Sequence, residues 1–209
     1  MERAAHKIAN DIAARFGYDE EKTAVISYGL TAVFQMTIIF VMTLMIGLLG
    51  GFHFECMIIF FSVGLLRKAT GGAHSRSFTG CLFISIFTIS IMAFLARYLF
   101  GENKSYLFFI FYTLAYILAF LIIYRHAPVD SPNKPIVSEV KIRRLRRNSF
   151  ITVAIYYLIT LLFTYLSMQN YRFMSLATSL TFAMLWQVFM LTSPGAKLLR
   201  IVDRKFGNA

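Results

Sequence analysis

The chain has 209 residues and a formal net charge of +11, and 58% of its residues are hydrophobic while only 15% are charged. A soluble domain is nearer half apolar and about a quarter charged, so this composition excludes an ordinary soluble protein and indicates a multi-pass membrane protein. Basic residues gather in the cytoplasmic loops of membrane proteins, which explains the charge without a nucleic-acid partner. The two cysteines, Cys56 and Cys81, lie in or beside apolar blocks, so a disulfide framework is not expected.

The first 22 residues predict an amphipathic helix at the cytoplasmic membrane surface. Ile8, Ile12 and Phe16 recur at i, i+4 and i+8, with charged residues between them. An ordinary solvated helix is the alternative. The segment lacks an apolar core followed by a small-residue cleavage site, so a removable signal peptide is not expected.

Six apolar blocks follow, and each is a candidate membrane span. A helix needs roughly 20 apolar residues to cross a hydrocarbon core of about 30 Å. The second block contains His53 and Glu55 and would span only about 22 Å as a helix, so we expect it to be short or re-entrant. The blocks are 24–50, 52–66, 80–100, 105–124, 150–168 and 172–192. We therefore predict an all-α polytopic protein with about six transmembrane segments, which form one membrane-embedded domain over residues 1–209.

The basic residues predict the orientation of these segments. If all six blocks cross and the N-terminus is cytoplasmic, 18 of the 21 lysines and arginines fall on the cytoplasmic side. Because Lys and Arg accumulate on that side, we expect both termini in the cytoplasm, together with the loop 67–79 and the basic loop 125–149. The basic run of the second loop is expected to determine topology and to contact anionic lipid.

The stretch RKATGGAHSRSFTGC, residues 67–81, interrupts the apolar sequence with a histidine and a cysteine. Taken singly, Cys81 is explained as a small apolar residue at a helix start, and His74 as a loop histidine at the headgroups. Together they supply the thiol and the base that cysteine nucleophilic catalysis requires in one solvent-reachable place. We interpret the pair as a candidate catalytic dyad.

The spacing of the dyad constrains the backbone. In one continuous helix, positions seven apart are separated by about 10.5 Å along the axis, which is farther than an imidazole and a thiol can bridge. Gly71-Gly72 is therefore predicted to end the preceding helix or to open a loop, and Ser77 and Thr79 are candidate N-caps for the helix that runs from about 80. The dipole at that helix start favours a thiolate at Cys81. The nearby basic residues, which act in the same direction, are Arg67, Lys68 and Arg76.

The same stretch resembles the core of the accessory gene regulator B family, the membrane endopeptidases of Gram-positive quorum sensing. In that family a basic pair precedes a Gly-Ala-His element, and a cysteine follows seven residues after the histidine. Arg67-Lys68, Gly72-Ala73-His74 and Cys81 match in order and spacing. APVDSPNKPI, residues 127–136, resembles the family's Ala-Pro…Lys-Pro-Ile element, although many members have further lysines where this chain has Asp130, Pro132 and Asn133. Length and the six blocks also agree, so the resemblance covers nearly the whole chain.

The resemblance implies a cysteine endopeptidase that matures a peptide pheromone. Cys81 would attack the carbonyl between the signal region of a short propeptide and its C-terminal tail, and His74 would transfer the proton. The signal region would stay on Cys81 as a thioester until a nucleophilic side chain of the same substrate closed a macrocycle. No cofactor or metal is implied. The implied partners are the propeptide, the lipid bilayer and, by resemblance only, a second copy in a homodimer.

Five further residues are candidates for auxiliary or substrate contacts: Arg67, Lys68, Gly72, Asp130 and Lys134. Asp130 is a candidate to orient His74, because its loop is predicted to share the cytoplasmic face; a turn-forming role is the alternative. Lys134 is a candidate to assist an oxyanion or a substrate carboxylate, and headgroup contact is the alternative.

A small six-helix transporter, or the membrane-embedded binding subunit of an uptake system, is the competing interpretation. Six spans with basic cytoplasmic loops suit either protein. That interpretation leaves the spacing of His74 and Cys81 and the 127–136 element to coincidence. A zinc protease is not favoured, because the sequence contains no H-E-x-x-H pattern.

Overall fold

The structure is a computed structural model that describes residues 2–72, 77–99, 106–129 and 138–206. These residues form eight helices, which contain 89% of them, and no strand. The helices are α1 (Glu2–Phe16), α2 (Glu20–Gly50), α3 (His53–Thr70), α4 (Phe78–Tyr98), α5 (Tyr106–His126), α6 (Glu139–Leu166), α7 (Arg172–Phe189) and α8 (Ser193–Phe206). The predicted all-α class is confirmed.

Four helices, α2, α4, α5 and α6, have the length and hydropathy of membrane spans. The pair α7 and α8 meets the same criteria together, with an 85° bend at the break between them. The remaining candidate, α3, is the short second block: its 18 residues carry Glu55, Arg67 and Lys68 near its ends and would span about 27 Å. The chain is thus a polytopic helical protein, and the count of six crossings stays a prediction.

The chain divides into two compact units, Met1–Met42 and Thr43–Ala209. The first unit contains α1, which ends before Gly17 at φ +66°, and most of α2. Asp19 begins α2 by accepting a 2.8 Å hydrogen bond from the Lys22 amide. The interfacial position of α1 and the single domain over 1–209 stay predictions.

In the second unit α7 is extensively buried, with more than half of its residues enclosed. Its buried face combines apolar side chains with small hydroxyls. Thr178 hydrogen-bonds to the Tyr112 hydroxyl of α5 at 2.7 Å, while Leu180, Met184 and Val188 belong to an apolar cluster with residues of α5 and α6. Small and hydroxyl-bearing residues are typical of interfaces between membrane helices, because they permit close approach and interhelical hydrogen bonds.

The outward faces of these helices are strongly apolar. Exposed positions hold large hydrophobic side chains, among them Phe83, Phe87, Ile91, Leu114, Ile117, Leu121, Ile155, Leu158 and Leu162. Exposed apolar surface on this scale requires a covering partner, and a bilayer supplies one to helices whose backbone polar groups are satisfied internally.

Two helix boundaries differ from the sequence-based expectation. Arg67 and Lys68 were expected in a loop but lie in the last turn of α3, where cations are favourable against the helix dipole. The basic run 141–147 was expected in a loop but is helical, because α6 begins at Glu139. Lys, Arg and Leu are good helix formers, and Glu139 pairs with Arg143 at 3.3 Å.

Candidate active site

The candidate site begins at the end of α3, where two glycines turn the chain. Gly71 has φ +68° and Gly72 has φ +124°, values that L side chains rarely adopt. The Gly71 amide donates to the Arg67 carbonyl at 2.9 Å and caps the helix. The prediction that this pair ends α3 is confirmed.

Val129 lies directly against Gly71. It is near the start of the second motif segment, residues 127–136. The Val129 amide donates to the Thr70 carbonyl at 2.9 Å, and residues 71 and 129 form an isolated parallel β-bridge. A Cβ added at Gly71 would collide with the Val129 carbonyl oxygen. The two separate parts of the sequence that carry the family resemblance therefore meet, and only glycine permits this approach.

Side chains of α6 and α7 fix these backbone segments. Gln187 is fully buried, and its Nε2 donates to the Thr70 hydroxyl at 2.9 Å and to the Gly71 carbonyl at 2.7 Å. The Nε of Arg146 donates to the Ala127 carbonyl at 2.9 Å. Both contacts join residues far apart in the sequence, so they hold the ends of α3 and α5 by tertiary packing.

Ser77 begins α4 as its N-cap, which confirms one of the two predicted caps. Its backbone is extended, and its hydroxyl accepts a 3.0 Å hydrogen bond from the Gly80 amide. The Cys81 amide donates to the Ser77 carbonyl at 3.0 Å. Cys81 therefore lies just beyond the unpaired amides of the first turn, so it gains less from them than expected.

The Cys81 side chain is half-buried between three helices. The Ser85 side chain, one turn along α4, lies beside the thiol. Burial removes the thiol from water and disfavours its anion, while Arg67 of α3 and Asp203 of α8 lie near it with opposite charges. Arg67 thus lies near Cys81, and Asp203 adds a carboxylate that the sequence did not suggest. A role for Arg67 in the site stays a prediction.

The other predicted site residues have different positions. Lys68 is exposed and lines an open groove of about 510 Å³ between α3 and α6, together with Arg144 and Asn148. Gly72 lies beside Gln187, where an added Cβ would be 3.3 Å from Nε2. The other three predicted residues lie outside the described part of the chain, so their roles stay predictions: His74, Asp130 and Lys134.

A second polar cluster lies at the opposite end of α3. The buried Glu55 carboxylate accepts a 2.6 Å hydrogen bond from the Ser175 hydroxyl and faces Arg97 at 3.8 Å. Along α3, Glu55 and Arg67 are separated by roughly 18 Å. This cluster ties the starts of α3 and α7 to the end of α4 and does not belong to the Cys81 site.

Sequence reasoning missed Gln187, Arg146 and Asp203. Gln187 carried a usable signal, since a polar residue inside an apolar block is a functional or structural suspect. Arg146 was one of several arginines in a basic run, and Asp203 was a lone acid in a basic tail. Only the folded structure distinguishes Arg146 and Asp203 from their neighbours.

Comparisons with known proteins identify the family of the chain. The sequence model of the accessory gene regulator B family matches residues 5–191. An AgrB-like protein of Clostridium perfringens strain SM101 is 30% identical over 206 residues, covering 97% of this chain and 96% of that protein. An AgrB-like protein of Halalkalibacterium halodurans is 25% identical over 204 residues, covering 98% and 93%. No solved structure matches. The chain belongs to the accessory gene regulator B family.

Proposed function

We propose that this protein is a membrane cysteine endopeptidase of peptide quorum sensing. It removes the C-terminal tail of a short propeptide through a thioester on Cys81 and promotes closure of the signal region into a thiolactone or lactone ring. The observation that carries the proposal is the meeting of Thr70 and Gly71, from the first motif segment, with Val129 of the second.

In this mechanism the Cys81 thiolate attacks the carbonyl that joins the signal region to the tail. His74 accepts the thiol proton and gives one to the amine of the departing tail. The signal region is left on the cysteine as a thioester. A nucleophilic side chain of the same substrate then attacks that thioester, closes the ring and restores the thiol.

Arg67 is the cation proposed to assist the thiolate, because it lies near Cys81 and a nearby positive charge favours the reactive anion against the cost of burial. Gly72, Asp130 and Lys134 are proposed as auxiliary or substrate contacts. Lys68 is proposed to contact substrate or headgroups from the exposed side of α3.

Ring closure requires that water does not reach the thioester first. Exchange of one thioester for another is nearly balanced in energy, whereas hydrolysis would discard the activated acyl group. The half-buried position of Cys81 among helices with apolar outer faces supports a site from which water is largely excluded. We place this site at the cytoplasmic face of the cell membrane, with both termini in the cytoplasm, from the distribution of basic residues.

Mass spectrometry on cells that co-express this protein with the short peptide encoded beside its gene tests the proposal. Wild type and Cys56→Ala, which keeps the proposed nucleophile, should give a tail-less product about one water lighter than the linear fragment. Cys81→Ala and His74→Ala should give none. Linear hydrolysed product from the wild type would contradict ring closure, and unchanged product from Cys81→Ala would contradict the peptidase and favour the transporter interpretation.

A further inference from the structure

The C-terminal helix α8 contacts the start of α4 at Ser77, four residues before Cys81. The Asp203 Oδ1 accepts a hydrogen bond from the Ser77 amide at 3.4 Å. The Phe206 carbonyl accepts one from the Ser77 hydroxyl at 3.3 Å, and the Phe206 ring stacks on Phe83 with 4.7 Å between centroids. Three contacts from one helix thus converge on the first turns of another.

The sequence of α8 supports this docking. Leu199, Asp203 and Phe206 are spaced i, i+4 and i+7 and share one face, on which Leu199 is buried. Gly195 brings the beginning of α8 against the end of α7, where an added Cβ would collide with the Phe189 carbonyl oxygen. The basic residues of the helix are all exposed: Lys197, Arg200, Arg204 and Lys205.

Ser77 connects α8 with Cys81. Its hydroxyl donates to Phe206 while accepting from the Gly80 amide, and a hydroxyl can do both at once. Its carbonyl accepts from the Cys81 amide. A shift of Ser77 would therefore move the turn that presents the thiol.

We propose that α8 is a positioning element of the active site, in which Asp203 and Phe206 hold Ser77 and so fix the Cys81 thiol relative to the rest of the site. The catalytic meaning of this contact rests on the proposed function. Asp203 acts through Ser77 and is a positioning residue.

Hydrogen exchange on the full-length protein in lipid nanodiscs tests the contact without any substrate. Asp203→Ala removes the acceptor and should speed exchange of the amides at 77–81 about twofold to tenfold, the range expected for one ordinary hydrogen bond. Asp203→Asn keeps an acceptor oxygen and should match the wild type, as should Arg204→Gln on the exposed face. Equal exchange in Asp203→Ala and Arg204→Gln would overturn the proposal.

A second pair of variants tests the same contact from α4 in case Asp203→Ala does not fold. Phe83→Leu removes the ring that stacks on Phe206 and should speed exchange at 199–206. Phe87→Leu replaces a comparably exposed ring, one that faces Phe83 instead, and should not. Equal exchange in both variants would contradict docking through Phe206.

The co-expression assay then separates this inference from the proposed function. If both hold, Asp203→Ala makes less processed peptide per folded protein than Asp203→Asn, which lacks the same charge but keeps an acceptor for Ser77, while Arg204→Gln makes as much as the wild type. Faster exchange with undiminished processing would overturn the positioning role alone. Processing that is insensitive to Cys81→Ala would overturn the function, and with it the catalytic meaning of the contact.

Discussion

Gly71 is the residue at which the two motif segments meet. It requires a positive φ and leaves no room for a Cβ beside Val129. At Gly64, inside α3, an added Cβ would meet nothing within 4 Å. The two positions therefore form a matched pair of glycines, one with a tertiary constraint and one without.

Gly71→Ala is expected to abolish processing, whereas Gly64→Ala is expected to preserve it. The Gly71 backbone, at φ +68° and ψ −141°, is in a region that costs an L side chain about 1–3 kcal/mol, and the collision with Val129 adds to that penalty. Product per folded protein, measured by mass spectrometry after size-exclusion of the detergent-solubilised variants, checks the prediction. An active, folded Gly71→Ala variant would show that the contact with residues 127–129 is dispensable.

Gln187→Leu tests the side chain that holds the end of α3. The substitution keeps the volume but removes both hydrogen bonds to Thr70 and Gly71. We expect a loss of roughly 1–3 kcal/mol in unfolding free energy, because buried acceptors lose their donor, and a clear loss of product per folded protein. Gln169→Leu changes an exposed glutamine and should behave as wild type in thermal unfolding and in processing; equal behaviour of the two variants would argue against the Gln187 contact.

The local features of the site could be predicted from the sequence, and its long-range contacts could not. Gly71-Gly72 as a helix end and Ser77 as a helix cap follow from backbone preferences that act within a few residues. Gln187 and Asp203 act on residues more than a hundred positions away. Gln187 stands out only as a polar residue in an apolar block, and Asp203 does not stand out at all. Their partners cannot be read from the sequence, because the packing of α3, α4, α7 and α8 specifies them.

At the scale of elements, α3 and α4 are antiparallel and carry polar groups at both ends. Arg67 lies near Cys81 at one end, and Glu55 faces Arg97 at the other. Hydropathy located both helices, since apolar blocks are a strong signal. It did not reveal that 193–206 forms a separate helix bent by 85° from α7, because the tail is polar and its burial depends on α4.

Glu55→Gln tests whether the distant cluster is structural. The amide keeps an acceptor for Ser175 but leaves Arg97 without its carboxylate partner, so we expect unfolding free energy to fall by about 1–3 kcal/mol with no change in product per folded protein. Thermal unfolding in detergent and the co-expression assay measure the two quantities. Glu20→Gln, at an exposed position, is the control. Loss of processing at normal stability would assign Glu55 a functional role.

At the scale of the whole molecule, the topology predicted from charge asymmetry can be checked by thiol labelling. In a background without Cys56 and Cys81, Gln169→Cys lies in the short connection between α6 and α7, and Lys205→Cys lies near the end of α8. A membrane-impermeant maleimide should label Gln169→Cys in intact cells and Lys205→Cys only after permeabilisation. The reverse pattern would contradict cytoplasmic termini.

The central claim is that Cys81 carries the signal region as a thioester, and intact-protein mass spectrometry of the purified protein mixed with its propeptide tests it most directly. We expect an adduct with the mass of the tail-less signal region, located on Cys81 and released by hydroxylamine. Cys56→Ala should form the same adduct, and Cys81→Ala should form none. Release of the tail by the wild type without any adduct, or an adduct that persists in Cys81→Ala, would contradict it.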